Sequence, residues 1–141
     1  MKLNILLIVF SLISFPLAGR AASLQTPSYT LLLSKDLVIQ EPAREFDCRE
    51  RVYLITTWFK VSGPHRVTAQ WFNPEGLLQD EGHLDFTGDP KSTTGWLGLE
   101  FLNVADSHLD AEMARFYGRW KVKVLLDNRL LEEQEFFVRC K

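Results

Sequence analysis

Two extended arms close the chain. From Gly118 to Leu126 large apolar side chains alternate with basic ones, so Trp120, Val122, Val124 and Leu126 share one face and Arg119, Lys121 and Lys123 the other. After a polar turn at Asp127-Asn128-Arg129, the run from Leu130 to Cys140 keeps the two-residue period, with Phe136, Val138 and Cys140 on one side. Period two on both arms of a short polar turn predicts a β-hairpin. A helix would scatter Trp120, Val122 and Val124 around its circumference. The chain therefore ends in sheet, and the sheet needs layers to cover its apolar side.

The start of the chain reads differently. Lys2 is followed by the mostly apolar run Leu3 to Leu17, and Gly19-Arg20-Ala21 ends in small residues. That layout is expected of a secretory signal peptide, residues 1–21, cleaved after Ala21. Asn4, Ser11, Ser14 and Pro16 interrupt the run, which falls short of the ~20 apolar residues of a spanning helix. No membrane span is expected once the signal is removed. The remainder, 22–141, has the length of one domain. Taking Lys2 and Arg20 from the 16 basic residues leaves fourteen against 18 acids, a net charge near −4. A mildly acidic surface argues against nucleic-acid binding, which needs a basic face.

Cys48 and Cys140 are the two cysteines of this chain. In an exported protein an even count is expected to mean a disulfide, whereas a redox or zinc pair would want the close spacing of C-x-x-C.

Between signal and hairpin the rhythm is of short strands. Tyr29 to Leu33 and Leu37 to Gln40 are two β-like runs, and the charged stretch Arg44 to Arg51 is a solvated connection from which Phe46 leads into the core. Val52 to Val61 is apolar on both faces: Val52, Leu54 and Trp58 on one, Tyr53, Ile55, Phe59 and Val61 on the other. Such a strand is covered on both sides or meets a partner on its outer face. His65 to Phe72 alternates Val67, Ala69 and Trp71 with Arg66, Thr68 and Gln70. Asn73-Pro74-Glu75-Gly76 is a type I turn. A strand follows from Leu77 to Phe86, with a bulge expected at Gly82. After a loop over 87–95, Trp96 to Leu102 is strand again. Leu109, Met113 and Phe116 recur at helical spacing, which predicts one short helix between Asn103 and Tyr117, ended by Gly118.

About seven strands and one short helix describe an all-β, antiparallel, immunoglobulin-like β-sandwich. The closing pattern Gly118-x-Trp120-x-Val122-x-Val124, a polar turn, Leu130-Leu131 and Phe136-x-Val138 resembles the final hairpin of bacterial exported immunoglobulin-like and fibronectin-type-III-like modules. The resemblance covers the last 25 residues or so and implies a fold, not an activity. Cys48 and Cys140 are not placed like the inter-sheet pair of antibody domains, so antibody-like function does not follow.

Catalytic patterns fall away on inspection. There is no G-x-S-x-G, and His65, His83 and His108 share no ligand spacing, so neither nucleophilic catalysis nor a zinc site is expected. Asp80, Glu81, Asp85 and Asp89 cluster, but Asp85 alternates with Leu84 and Phe86 as the wet face of a strand does, and no calcium-loop pattern accompanies them. Glu132, Glu133 and Glu135 would keep a strand edge from pairing. No cofactor is expected. Trp58, Trp71 and Trp120 belong to the core. Trp96 has the opposite parity to Leu97, Leu99 and Phe101, so it faces the other side of its strand, and if that side is exposed it forms the expected binding surface with Tyr53, Ile55 and Phe59.

The expected protein is a non-enzymatic exported β-sandwich of a Gram-negative envelope, periplasmic or extracellular. Its partner would be another envelope or extracellular protein, met through a sheet edge or an apolar outer face. A carbohydrate-binding module using Trp96 on a glycan is the alternative, and a small envelope enzyme the third reading.

Overall fold

Alternating burial carries straight from the sequence into the layers. The structure, a computed structural model, describes residues 27–101 and 114–139. Eight strands follow one another: β1 Ser28–Ser34, β2 Glu45–Asp47, β3 Arg51–Phe59, β4 Gly63–Phe72, β5 Leu78–Gly88, β6 Ser92–Glu100, β7 Gly118–Leu126 and β8 Arg129–Arg139. They form a three-stranded sheet in the order β1-β3-β6 and a five-stranded sheet in the order β2-β8-β7-β4-β5. Every pairing is antiparallel except the short parallel one of β2 with β8. The first, third and sixth strands make one layer and the fourth, seventh and eighth the other, with β5 beside β4. This is the connectivity of an immunoglobulin-like sandwich in which β5 takes the place of the added strand of variable-type domains.

The core lies between the layers. Val52, Leu54, Trp58, Leu97 and Leu99 from one sheet meet Val67, Trp71, Trp120, Val122, Phe136 and Val138 from the other. Trp58, Trp71 and Trp120 are fully buried. The indole N–H of Trp58 donates to the Thr56 hydroxyl at 3.2 Å, so this buried threonine is itself satisfied. A side-chain link also spans the layers: Gln134 of β8 donates to the Leu31 carbonyl of β1 at 3.3 Å.

Local chemistry explains where the expectations and the fold part. The run Leu37 to Gln40 is not a strand, because the Asp36 carboxylate accepts the N–H groups of Val38 and Ile39 at 2.6 and 3.0 Å and bends the chain instead. The same two hydrogen bonds hold the Asp36 carboxyl below its ordinary pKa. β2 lies within the charged stretch expected to be a solvated connection, and there buried Phe46 packs edge-on against Phe136. Val61 does not continue the outer face of β3. That strand ends at Phe59, Lys60 takes a left-handed φ of 55°, and the broken alternation turns Val61 into the core. The bulge in β5 is not at Gly82, which stays in register with Ala69; the register slips where Trp71 pairs with Asp80 and Phe72 with Leu78. Gly82 instead makes room, since a Cβ there would sit 3.3 Å from Leu97 of the facing sheet.

The Asn73 to Gly76 turn forms as expected, with Gly76 N–H on the Asn73 carbonyl at 2.8 Å and φ of 80° at Gly76. The closing hairpin turns on two residues, Asp127 and Asn128, at φ 49° and 65°, the type I′ geometry that matches strand twist; Arg129 already belongs to β8. Of the expected helix, 102–113 lie outside the described residues, and a single 3₁₀ turn, Ala114–Phe116, precedes Gly118. Cys140 and His108 also lie outside the described residues.

Candidate functional site: the outer face and free edge of the three-stranded sheet

On β3 the side chains facing away from the core are Tyr53, Ile55, Thr57 and Phe59. Register places Ile55 between Leu32 of β1 and Trp96 of β6, and Thr57 between Thr30 and Thr94. Across this face the Thr57 and Thr94 hydroxyls are 3.0 Å apart. Trp96 is 47% exposed, and its ring meets that of Tyr53 edge to face with centroids 5.5 Å apart. The Arg51 guanidinium lies 5.8 Å from the Tyr53 ring centre and pairs with Glu100. Gly98 makes the arrangement fit: a Cβ there would come 3.3 Å from Arg51 Cδ and 3.5 Å from the Trp96 ring.

Of the four residues expected to share a surface, Tyr53 and Trp96 are in ring contact, and Ile55 lies in the same row but is only 4% exposed. Phe59 is elsewhere. It pairs with Ser92 at the far end of the sheet and lines a cleft there. Parity found Trp96, whereas nothing local in the sequence signals that Phe59 turns to a different feature.

The edges of the two sheets are unequally protected. On β1 the Leu33 carbonyl accepts the Ala43 N–H at 2.8 Å, and the Leu31 carbonyl accepts from Gln134. β2 is three residues long and carries Glu45 and Asp47. β5 carries Asp80, Glu81 and Asp85 and a register shift, and the start of β8 carries Glu132, Glu133 and Glu135. Each of these is a recognised way of blunting an edge. β6 is protected least: Ser92 to Leu99 contains no charge and no proline, its register with β3 runs unbroken, and its single charge, Glu100, stands at the strand's end paired with Arg51. Among the described residues no strand pairs with its outer edge.

The acids and histidines singled out from the sequence are occupied locally. Asp85 holds Arg66 in a bidentate pair at 2.6 and 2.8 Å, which keeps the carboxyl below its ordinary pKa. Glu81 accepts from Gln70 at 2.7 Å, and His83 contacts Thr68 through Nδ1 at 3.0 Å. Among the described residues no cluster of three metal-ligating side chains occurs.

His65 is held between two acceptors, Nδ1 at 2.7 Å from Asp127 Oδ2 and Nε2 at 3.1 Å from the Ser62 carbonyl. Both ring nitrogens can donate only in the imidazolium, so this geometry favours the charged form. The Asp127 hydrogen bond accordingly raises the His65 pKa above 6.5, against a smaller opposing effect of burial. At Asp127 burial opposes ionisation, but the Arg66 N–H and His65 outweigh it and lower the carboxyl below 3.8. The stabilisation from His65 is therefore full below pH 6.5 and is lost as pH rises through its raised pKa. That from Asp127 is present above pH 3.8 and is lost as pH falls through its lowered pKa. With a half-exposed carboxylate the effect is screened to under ~1 kcal/mol. His65→Gln should flatten the small decline in Tm expected between mild acid and pH 8, measured by calorimetry; a mutant profile parallel to the parent's would show that the pair contributes nothing.

No protein-family model and no curated protein sequence matches the chain. Solved structures match in shape. An immunoglobulin-like protein from Pseudomonas aeruginosa is 16% identical with a TM-score of 0.43, over 79% of this chain and 92% of that one. The alkylpurine DNA glycosylase AlkC of Pseudomonas fluorescens, solved on DNA with an abasic-site analogue, is 13% identical with a TM-score of 0.46. There the match spans 81% of this chain but 30% of the larger protein. At such scores neither likeness says anything of ligand, partner or activity here.

Proposed function

We propose that the chain is a non-enzymatic recognition module, exported to the bacterial periplasm or surface, which takes an extended segment of another envelope or extracellular protein alongside β6. The observation that carries this reading is the edge of β6, uncharged from Ser92 to Leu99, unbroken and uncovered, the one such edge among the described residues, with the exposed Trp96 set in it and packed on Tyr53. An added strand would pair its backbone with β6 and lay every second side chain against Trp96, the two sources of affinity and selectivity in strand addition.

A glycan would also use an exposed indole. However, the row around Trp96 is Leu32, Ile55 and Tyr53 with threonines beyond, and no Asn, Asp or Gln stands in it to hydrogen-bond sugar hydroxyls. The apolar row favours a protein segment.

The test compares capture of envelope proteins by the exported chain and by two variants, Trp96→Ala and Thr94→Lys. Thr94 is exposed on β6, so a lysine there charges the bare edge without entering the core. Each variant should weaken the captured complex tenfold or more, the scale of an aromatic anchor at an interface. Gln79→Lys on the already charged β5 should leave it unchanged. Equal binding by all forms would end the proposal, and a tryptophan fluorescence change with a glycan panel would favour the sugar reading instead.

A further inference from the structure

A second site lies at the Phe59 end of β3, away from Trp96, which pairs with Ile55 in mid-strand. The end of β3 and the segment before β1 face the β7–β8 turn across a cleft of about 590 Å³, within the range of small-molecule pockets. Its walls are apolar: Val61 and Leu126 are buried, and Phe59 and Leu131 half-buried. Two cations, Lys60 and Arg129, line it with them. Both are exposed, and neither has a carboxylate partner among the described residues. Elsewhere the surface cations around β7 and β8 are paired, Lys121 and Lys123 with Glu133 and Arg119 with Glu135. Lys60 also stands in the left-handed region, at φ 55°, which a side-chain-bearing residue seldom occupies and which tends to persist where function needs it.

The charge inside the cleft is of one sign in effect. Among the described residues Asp127 is its one carboxylate, and both of its oxygens are engaged, by His65 and by the Arg66 N–H at 2.9 Å. The His65 imidazolium and the Asp127 carboxylate offset one another as a pair, which leaves Lys60 and Arg129 as the uncompensated charges of the cleft. A chain with formal net charge −2 thus concentrates positive charge over an apolar floor.

We propose that this cleft binds an anionic amphiphile: a carboxylate or phosphate head held by Lys60 and Arg129, on a single short hydrocarbon body that fills the floor between Val61, Leu126 and Leu131. The site is independent of β6 and of any partner bound there. A free inorganic anion would leave the floor wet, and a neutral chain would leave both cations without a counter-charge.

The test is titration calorimetry of the exported chain at pH 6 with decanoate, decyl phosphate, decanol, decyltrimethylammonium and inorganic phosphate. Decanoate and decyl phosphate should bind one to one, and the neutral and cationic chains and inorganic phosphate at least tenfold more weakly. The double variant Lys60→Gln/Arg129→Gln should lose tenfold or more for both anions. Lys60→Gly separates binding from folding: it relieves the left-handed backbone, so Tm should hold or rise while anion affinity falls. Equal affinity for anionic and cationic chains would overturn the proposal. So would unchanged affinity in the double variant, inorganic phosphate binding as tightly as decyl phosphate, or no heat at millimolar ligand.

Discussion

Trp120→Ala is expected to cost about 3–5 kcal/mol, a large part of the 5–15 kcal/mol that holds a domain of this size together. The indole is fully buried at the centre of an aromatic cluster, 5.1 Å from Phe101, 6.0 Å from Phe116 and 6.1 Å from Phe136 between ring centres. Its N–H donates to the Phe116 carbonyl at 2.8 Å. Truncation would therefore open a cavity, forfeit the ring contacts and leave a buried carbonyl without its donor. Urea unfolding should show the midpoint falling sharply at an unchanged slope. Trp96→Ala, at the surface, should move the midpoint little. A cost for Trp120→Ala below about 1 kcal/mol would mean that the sandwich does not close around this residue.

The second large effect concerns Cys48. Its side chain is 1% exposed, and its N–H donates at 3.1 Å to the carbonyl of Arg139, the residue before Cys140. We propose that Cys48 and Cys140 form the disulfide expected of an exported chain with two cysteines. A bridge over so long a loop stabilises by up to ~4–5 kcal/mol through the unfolded state. Cys48→Ser should lower stability by that order, and reductant should do the same to the parent protein. The pairing is checked by alkylating the unfolded exported chain without reductant and weighing it: two labelled thiols would dispose of the bridge.

Much of the sandwich was legible because alternation is a local signal. Trp120, Val122 and Val124 on one face of β7, and Val67, Ala69 and Trp71 on one face of β4, announce both strand and orientation within a few residues. The parity of Trp96 against Leu97 and Leu99 sets it on the other face of its strand, while its exposure depends on the neighbouring strands. The failures have local competitors as their cause. At Leu37 to Gln40 the apolar run suggested a strand, but one carboxylate, Asp36, captured the backbone donors that a ladder would use. β2 hid in a charged stretch because a three-residue strand needs only one buried side chain, Phe46.

The features that required coordinates are those made across long separations. His65 of β4 and Asp127 of the β7–β8 turn lie far apart in the chain, and no spacing rule links them. The cleft beside them depends on Lys60 breaking the alternation of β3, a conformational choice that the side chain's identity argues against. Likewise, that β6 alone among the described strands is bare depends on Gln134 and Ala43 covering β1. A charged edge such as β5 can be read from its residues, but a covered one cannot.

That asymmetry limits what the molecule can build. A unit with adhesive margins on both flanks can recruit a neighbour that recruits another, and so grow into a fibre. Among the described residues only the β6 flank is left unpaired, uncovered and uncharged from Ser92 to Leu99. On the proposed reading, a segment docked along β6 uses up the opportunity, so growth is expected to stop at the first addition and to yield discrete pairs rather than filaments.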